Sequence, residues 1–168
     1  MDGGVLNLYV IRHAEAVSLG GAVRSDFDRT LNDHGRAEAT MMARALALID
    51  IDIAAIITSP LVRAVQTGKI FGDALKREPR VSEHLEPGFK ANLLLDEVQS
   101  LSTGAGVVAI GHQPDMGMLI SYLISPAHAA TVAMETCAIA CVQLQSTGQG
   151  QLRWHITPEV VRTLNNSI

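Results

Sequence analysis

An apolar, β-branched run, Val5-Leu6-Asn7-Leu8-Tyr9-Val10-Ile11, stops abruptly at Arg12-His13-Ala14-Glu15 and gives way to a polar loop. A run this apolar leaves no polar face for solvent, so it predicts a buried strand of a parallel-type sheet. In open α/β sheets the ligand crevice lies outside the carboxyl ends of the strands. Arg12 and His13 stand at such an end. Taken alone, they fit equally well a charge and a histidine that merely close a strand.

The rest of the chain repeats the pattern. Residues 14–29 form a loop carrying Arg24, Asp26, Asp28 and Arg29, and Thr30-Leu31-Asn32-Asp33 then offers helix-capping chemistry. From Gly35 onward Ala37, Met41, Ala45 and Leu48 recur at helical spacing and predict the buried stripe of a first helix. Residues 53–57 are a second short apolar strand that ends in Thr58-Ser59-Pro60. Proline at or before a first turn is a helix start signal, so a helix is expected over 61–75.

That helix carries Arg63 in its first turn, where the positive end of the helix dipole disfavours a cation. An anion held by the helix and Arg63 together removes the conflict; a solvated arginine is the alternative. Residues 80–85 form a weak strand, Glu86-Pro87-Gly88 a turn, and 89–101 a helix with Leu93, Leu94 and Val98 inward. Residues 107–110 are another buried strand, stopping at Gly111-His112-Gln113-Pro114-Asp115, so His112 is placed as His13 is. A helix over 116–124, closed by Ser125-Pro126, precedes two long strands over 132–145 and 151–157. Ser146-Thr147-Gly148-Gln149-Gly150 between them predicts an antiparallel hairpin, and Thr157-Pro158 ends the fold. Strands alternating with helices, plus one hairpin, make an α/β chain with the hairpin at a sheet edge.

A chain of 168 residues fits one domain, 1–168, and 48% hydrophobic content supplies its core. Net charge is −4 with no long Lys/Arg run, so the electrostatic footprint of a nucleic-acid binder is missing. A phosphate site would have to be a local basic pocket. The first residues carry no Lys or Arg, and no segment approaches the roughly 18 apolar residues of a membrane span. A soluble, cytoplasmic protein without membrane partners is expected. Cys137 and Cys141 would share one strand face as core residues, since near neighbours along a strand cannot readily bridge.

Three strand ends thus deliver Arg12-His13, Thr58-Ser59-Pro60 with Arg63, and Gly111-His112 to one crevice. Phosphoryl transfer asks for such a set. Its transition state spreads charge over three oxygens, which fixed arginine forks can grip. A neutral imidazole is a competent nucleophile for phosphorus and needs no metal, and neighbouring arginines keep it unprotonated. Other chemistries find no motif: there is no Gly-rich phosphate loop, no Gly-x-Ser-x-Gly elbow and no Pro-Cys-x-x-Cys. His34, His84, His128 and His155 are expected at helix surfaces or in loops.

Arg12-His13-Ala14-Glu15 resembles the RHG signature of the histidine phosphatase superfamily, with Ala14 in place of the usual glycine. Leu31 through Gly35, the run from Thr58 to Thr67, Gly111-His112-Gln113-Pro114 and Trp154-His155-Ile156-Thr157-Pro158 follow in family order. Together they most resemble the small SixA-type phosphohistidine phosphatases. The resemblance implies a phosphoglycerate mutase-like three-layer sandwich with a mostly parallel sheet. It implies His13 as the nucleophile, Arg12 and Arg63 as holders of the phosphoryl oxygens, and His112 completing the pocket. Arg29 and Ser59 are implied at its substrate-binding border. No metal or cofactor is expected.

The implied substrate is a phosphohistidine on a signalling protein such as a phosphotransfer domain. Its imidazole is an easy leaving group, whereas an alkoxide needs a general acid. Glu86, or less favourably Glu83, lies where the mutases carry that acid, although a solvated loop carboxylate is the plainer reading. If Glu86 reaches the pocket, small phosphate monoesters become substrates. A phosphate or phosphoprotein sensor without turnover is the third reading.

Overall fold

The computed structural model describes residues 5–49, 51–101, 104–125, 127, 131–145 and 148–167. Its strands are β1 (Leu6–Arg12), β2 (Ile53–Thr58), β3 (Pro79–Val81), β4 (Gly106–Gly111), β5 (Ile139–Leu144) and β6 (Gly150–Ile156). They form one sheet in the order β3-β2-β4-β1-β5-β6. The first four in that order run parallel, while β5 is antiparallel to β1 and β6 to β5. The α/β class and the antiparallel hairpin at one edge are therefore as the sequence predicts.

Helices α1 (Asp33–Ala47), α2 (Val62–Leu75), α3 (Ala91–Leu101), α4 (Asp115–Ile124) and α5 (Pro158–Asn165) cover the sheet. Strand β1 explains why both faces need cover. Leu8 and Val10 pack into the core beneath α3 and α4, while Tyr9 and Ile11 pack into the core beneath α1, α2 and α5. With successive side chains buried on opposite faces, the strand has to read as one continuous apolar run.

Several local expectations are corrected. The buried face of α1 carries Ala39, Met42, Ala43 and Leu46; of the expected stripe, Met41 and Ala45 pack partly buried at its margin, whereas Ala37 is exposed and Leu48 is 86% exposed. Ala and Met run almost all round this helix, so periodicity alone could not choose its face. The choice is made by Gly35, whose missing side chain lets the helix start lie against the Glu15 backbone. Leu93 is exposed, and only Leu94 and Val98 of its trio are buried. Residues 80–85 divide between β3 and a short 3-10 turn, Glu83–Leu85.

The long strand expected from 132 shrinks to β5, because Cys137 adopts a left-handed φ of 60°. Its N–H turns toward the carbonyls of Arg12 and His13, at 3.1 and 3.3 Å. Cys137 therefore sits in a turn and shares no strand with Cys141; both are free and buried. Pro158 does not end the fold but opens α5, where a missing N–H costs nothing. Among the described residues no helix is long and apolar enough to cross a membrane. Pro126, His128 and the Ser146-Thr147 part of the hairpin turn lie outside the described residues.

Candidate active site

Register brings three strand ends side by side. Arg12 of β1 pairs with Gly111 of β4, and Thr58 of β2 pairs with Ile110. Two further bonds carry the ladder one residue past the strands: His13 N–H donates to the Gly111 carbonyl and Ser59 N–H to the Ile110 carbonyl, both at 2.9 Å. His13, Ser59 and His112 thus leave the sheet at one edge. The two imidazole rings lie with centroids 5.0 Å apart and tilted by 57°.

The protonation of His13 is dictated by its partners. Nδ1 lies 2.7 Å from the Ala14 carbonyl, which can only accept, so Nδ1 carries the proton. Nε2 lies 3.1 Å from Arg63 Nε, which can only donate, so Nε2 presents its lone pair. The ring is therefore neutral, with its basic nitrogen facing a guanidinium. Burial, opposed by the Ala14 carbonyl and reinforced by Arg63, Arg12 and Arg29, lowers its pKa to about 4.

Arg63 lies buried in the first turn of α2, whose N-cap residue Leu61 offers no side-chain cap. The expected conflict between cation and helix dipole is resolved by an anion from the protein itself. Arg63 Nη2 donates to Asp26 Oδ2 at 2.9 Å and Nη1 to the Asp26 carbonyl at 2.6 Å. Thr67, one turn on, ties the helix to the histidine loop. Its hydroxyl donates to the Arg63 carbonyl at 2.7 Å and accepts from Ala14 N–H at 3.1 Å.

Arg12 donates from Nη1 to the Met134 carbonyl at 2.9 Å, while its Nε is buried without a partner among the described residues. His112 repeats this pattern: Nε2 lies 2.7 Å from Ser59 Oγ, and Nδ1 is buried without a partner among the described residues. Ser59 Oγ also accepts from Leu61 N–H at 3.4 Å, and where its own hydrogen goes to His112 Nε2 the ring proton sits on Nδ1. Burial, with His13 and Arg63 adding to it, lowers the His112 pKa to about 3. Arg12 Nε, a buried donor, is the chemical complement of an oxyanion, and His112 Nδ1 is a second such donor in the tautomer whose Nε2 accepts from Ser59.

Arg29 borders the cluster. It donates from Nε to the Val17 carbonyl at 2.7 Å and from Nη1 to Asp26 Oδ1 at 3.0 Å. Glu83 and Glu86 are both exposed, at the start and just past the end of the 3-10 turn. Glu15 sits outside the cluster, accepting from Asn32 Nδ2 at 2.9 Å and lying 2.7 Å from His34 Nδ1. Reading from residue types missed Asp26 and Thr67 as members of the site. Thr67 had a signal, lying four residues beyond Arg63 on one helix face; Asp26 had none, because a loop carboxylate is ordinarily solvated.

Comparison with known proteins agrees with this geometry. Residues 8–87 match the model of the histidine phosphatase superfamily, branch 1. The phosphohistidine phosphatase SixA of Escherichia coli strain K12 is 31% identical over 157 residues, spanning 91% of this chain and 94% of that protein. A structure of the protein histidine phosphatase SixA with tungstate superposes with a TM-score of 0.82 at 31% identity, covering 92% of this chain and 99% of the other. A phosphoserine phosphatase from Entamoeba histolytica has the same fold at 18% identity, with a TM-score of 0.67 and coverage of 92% and 98%.

Proposed function

Because the chain belongs to the histidine phosphatase superfamily, among its SixA-type members, we propose that it removes phosphoryl groups from phosphohistidine on a signalling protein. The observation that carries this reading is the neutral His13, proton fixed on Nδ1 and lone pair on Nε2 among arginines. Nε2 attacks phosphorus, the new Nε2–P bond forms, and the P–N bond to the substrate imidazole breaks. That imidazole, protonated on its other nitrogen, leaves as a neutral ring and asks for no further acid. Water then attacks the phosphoenzyme, the P–Nε2 bond breaks, and inorganic phosphate departs with the proton released.

Each neighbour has a part. Arg63 passes from Nε2 to the phosphoryl oxygens as the nucleophile engages, while Arg12 Nε–H and His112 Nδ1–H, without partners among the described residues, supply two further donors. Ser59 fixes the tautomer of His112, and Arg29 adds positive charge at the border. The proton held on His13 by the Ala14 carbonyl stabilises the positive charge of the phosphorylated ring.

The exposed positions of Glu83 and Glu86 favour a substrate that needs no general acid, hence phosphohistidine over an alkyl monoester. The test sets hydrolysis of a phosphohistidine-bearing phosphotransfer domain beside that of a simple phosphate monoester, in EDTA, with wild type and Glu86→Ala. Selective turnover of phosphohistidine, unchanged by the substitution, is expected. Comparable monoester turnover that disappears with Glu86 would make this a small-ester phosphatase. Phosphate binding with no turnover of either would make it a sensor, and loss of activity in EDTA would overturn the metal-free chemistry.

A further inference from the structure

The anion at the start of α2 is held as a ligand would be. Asp26 spans two guanidinium groups, Oδ2 accepting from Arg63 at 2.9 Å and Oδ1 accepting from Arg29 at 3.0 Å. The Asp26 carbonyl takes Arg63 Nη1 as well, and Nε is on His13, so every nitrogen of Arg63 is engaged. One oxygen to each of two arginines is also how a phosphoryl group would be gripped between them. The partners differ in freedom: the Arg63 side chain is 6% exposed, the Asp26 side chain 50%. The cation is held by packing, whereas the carboxylate sits half exposed on a loop. Its hydrogen bonds to Arg29 and Arg63 hold its pKa below the usual carboxylate value, so it is charged at neutral pH.

We propose that Asp26 is a built-in competitor for the phosphoryl group, releasing Arg63 and Arg29 only as substrate enters. The inference rests on the reading of this crevice as a phosphoryl site. A weakly held oxyanion, the product phosphate included, must displace a carboxylate that the chain itself supplies at high effective concentration. A phosphorylated protein brings binding energy from its remaining surface and can spend it on that displacement. The displacement weakens every phosphoryl ligand alike, so only one with further contacts of its own binds tightly.

The experiment is titration calorimetry of inorganic phosphate into wild type, Asp26→Asn, Asp26→Ala and Arg63→Ala at neutral pH and fixed ionic strength. Asp26→Asn keeps the shape of the side chain and removes its charge; Asp26→Ala removes both. Both should bind phosphate on the order of tenfold more tightly than wild type, as for any ligand relieved of an internal rival. In turnover, KM should fall while kcat changes little. A gain in affinity cannot come from a damaged fold. Unchanged or weaker phosphate binding in Asp26→Asn would overturn the proposal and make Asp26 a positioning residue for the arginines. Absence of phosphate binding in wild type and all variants would instead overturn the phosphoryl-site reading, and this proposal with it.

Discussion

A histidine can serve as nucleophile, acid, cation or ligand, and its partners choose among these roles. At His13 a carbonyl and a guanidinium make the choice, leaving one nitrogen basic and the ring uncharged. At His112 the choice passes through Ser59, which is fully buried and whose Oγ lies 2.7 Å from Nε2. Ser59→Ala should therefore lose turnover by roughly tenfold, the worth of one buried hydrogen bond, with the fold intact by circular dichroism. Acid reveals the same two histidines. Their pKa values lie near 4 and 3 in the fold against 6.5 unfolded, so the unfolded chain binds protons that the native state refuses. Their contribution to stability is full above 6.5 and is lost as pH falls toward 4. That loss is on the order of 2–3 kcal/mol per histidine by the lower end. Thermal unfolding followed across this range should show a falling Tm, and His112→Asn should flatten the fall.

At the scale of elements, the site is a consequence of which strand lies next to which. Adjacency of β1 and β4 puts two histidines at neighbouring strand ends, and β2 beside β4 adds Ser59 and the start of α2. The abrupt polar ends of three apolar runs made those positions legible, since a buried strand cannot carry Arg-His except at its end. The faces of the helices were less legible. In α1 an almost continuous apolar surface hid the buried side, and the deciding contact, Gly35 against the Glu15 backbone, joins residues that no periodicity relates. Gly35→Ala would drive a methyl group into the Glu15 carbonyl, so it should cost about 1–3 kcal/mol despite the better helix propensity of alanine. Denaturant unfolding checks this; a stabilised variant would mean that the loop after His13 yields freely. The turn at Cys137 was equally hidden. Its left-handed backbone is favoured by the carbonyls of Arg12 and His13 rather than by its own residue type.

Over the whole molecule, a mostly parallel sheet covered by helices on both faces serves to hold four polar side chains still at one edge. Arg12, His13, Arg63 and His112 come from residues up to a hundred apart in sequence, yet each is fixed by a neighbour supplied by another element: Met134, Arg63 itself, Asp26 and Ser59. The four were readable from the chain as neighbours, because three apolar runs end at or shortly before them. Asp26 and Thr67 were not, because an aspartate in a loop and a threonine in a helix are ordinary anywhere. In the proposed reaction His13 carries the phosphoryl group between the two displacements. The direct measurement is a rapid alkaline quench during turnover of a phosphohistidine-bearing domain, followed by mass spectrometry of the peptide containing His13. A phosphoryl adduct on His13 that appears and decays with turnover, and is absent in an inactive His13→Asn, is the predicted result. Turnover at the wild-type rate by His13→Asn, or an adduct on another residue, would rule out His13 as the nucleophile.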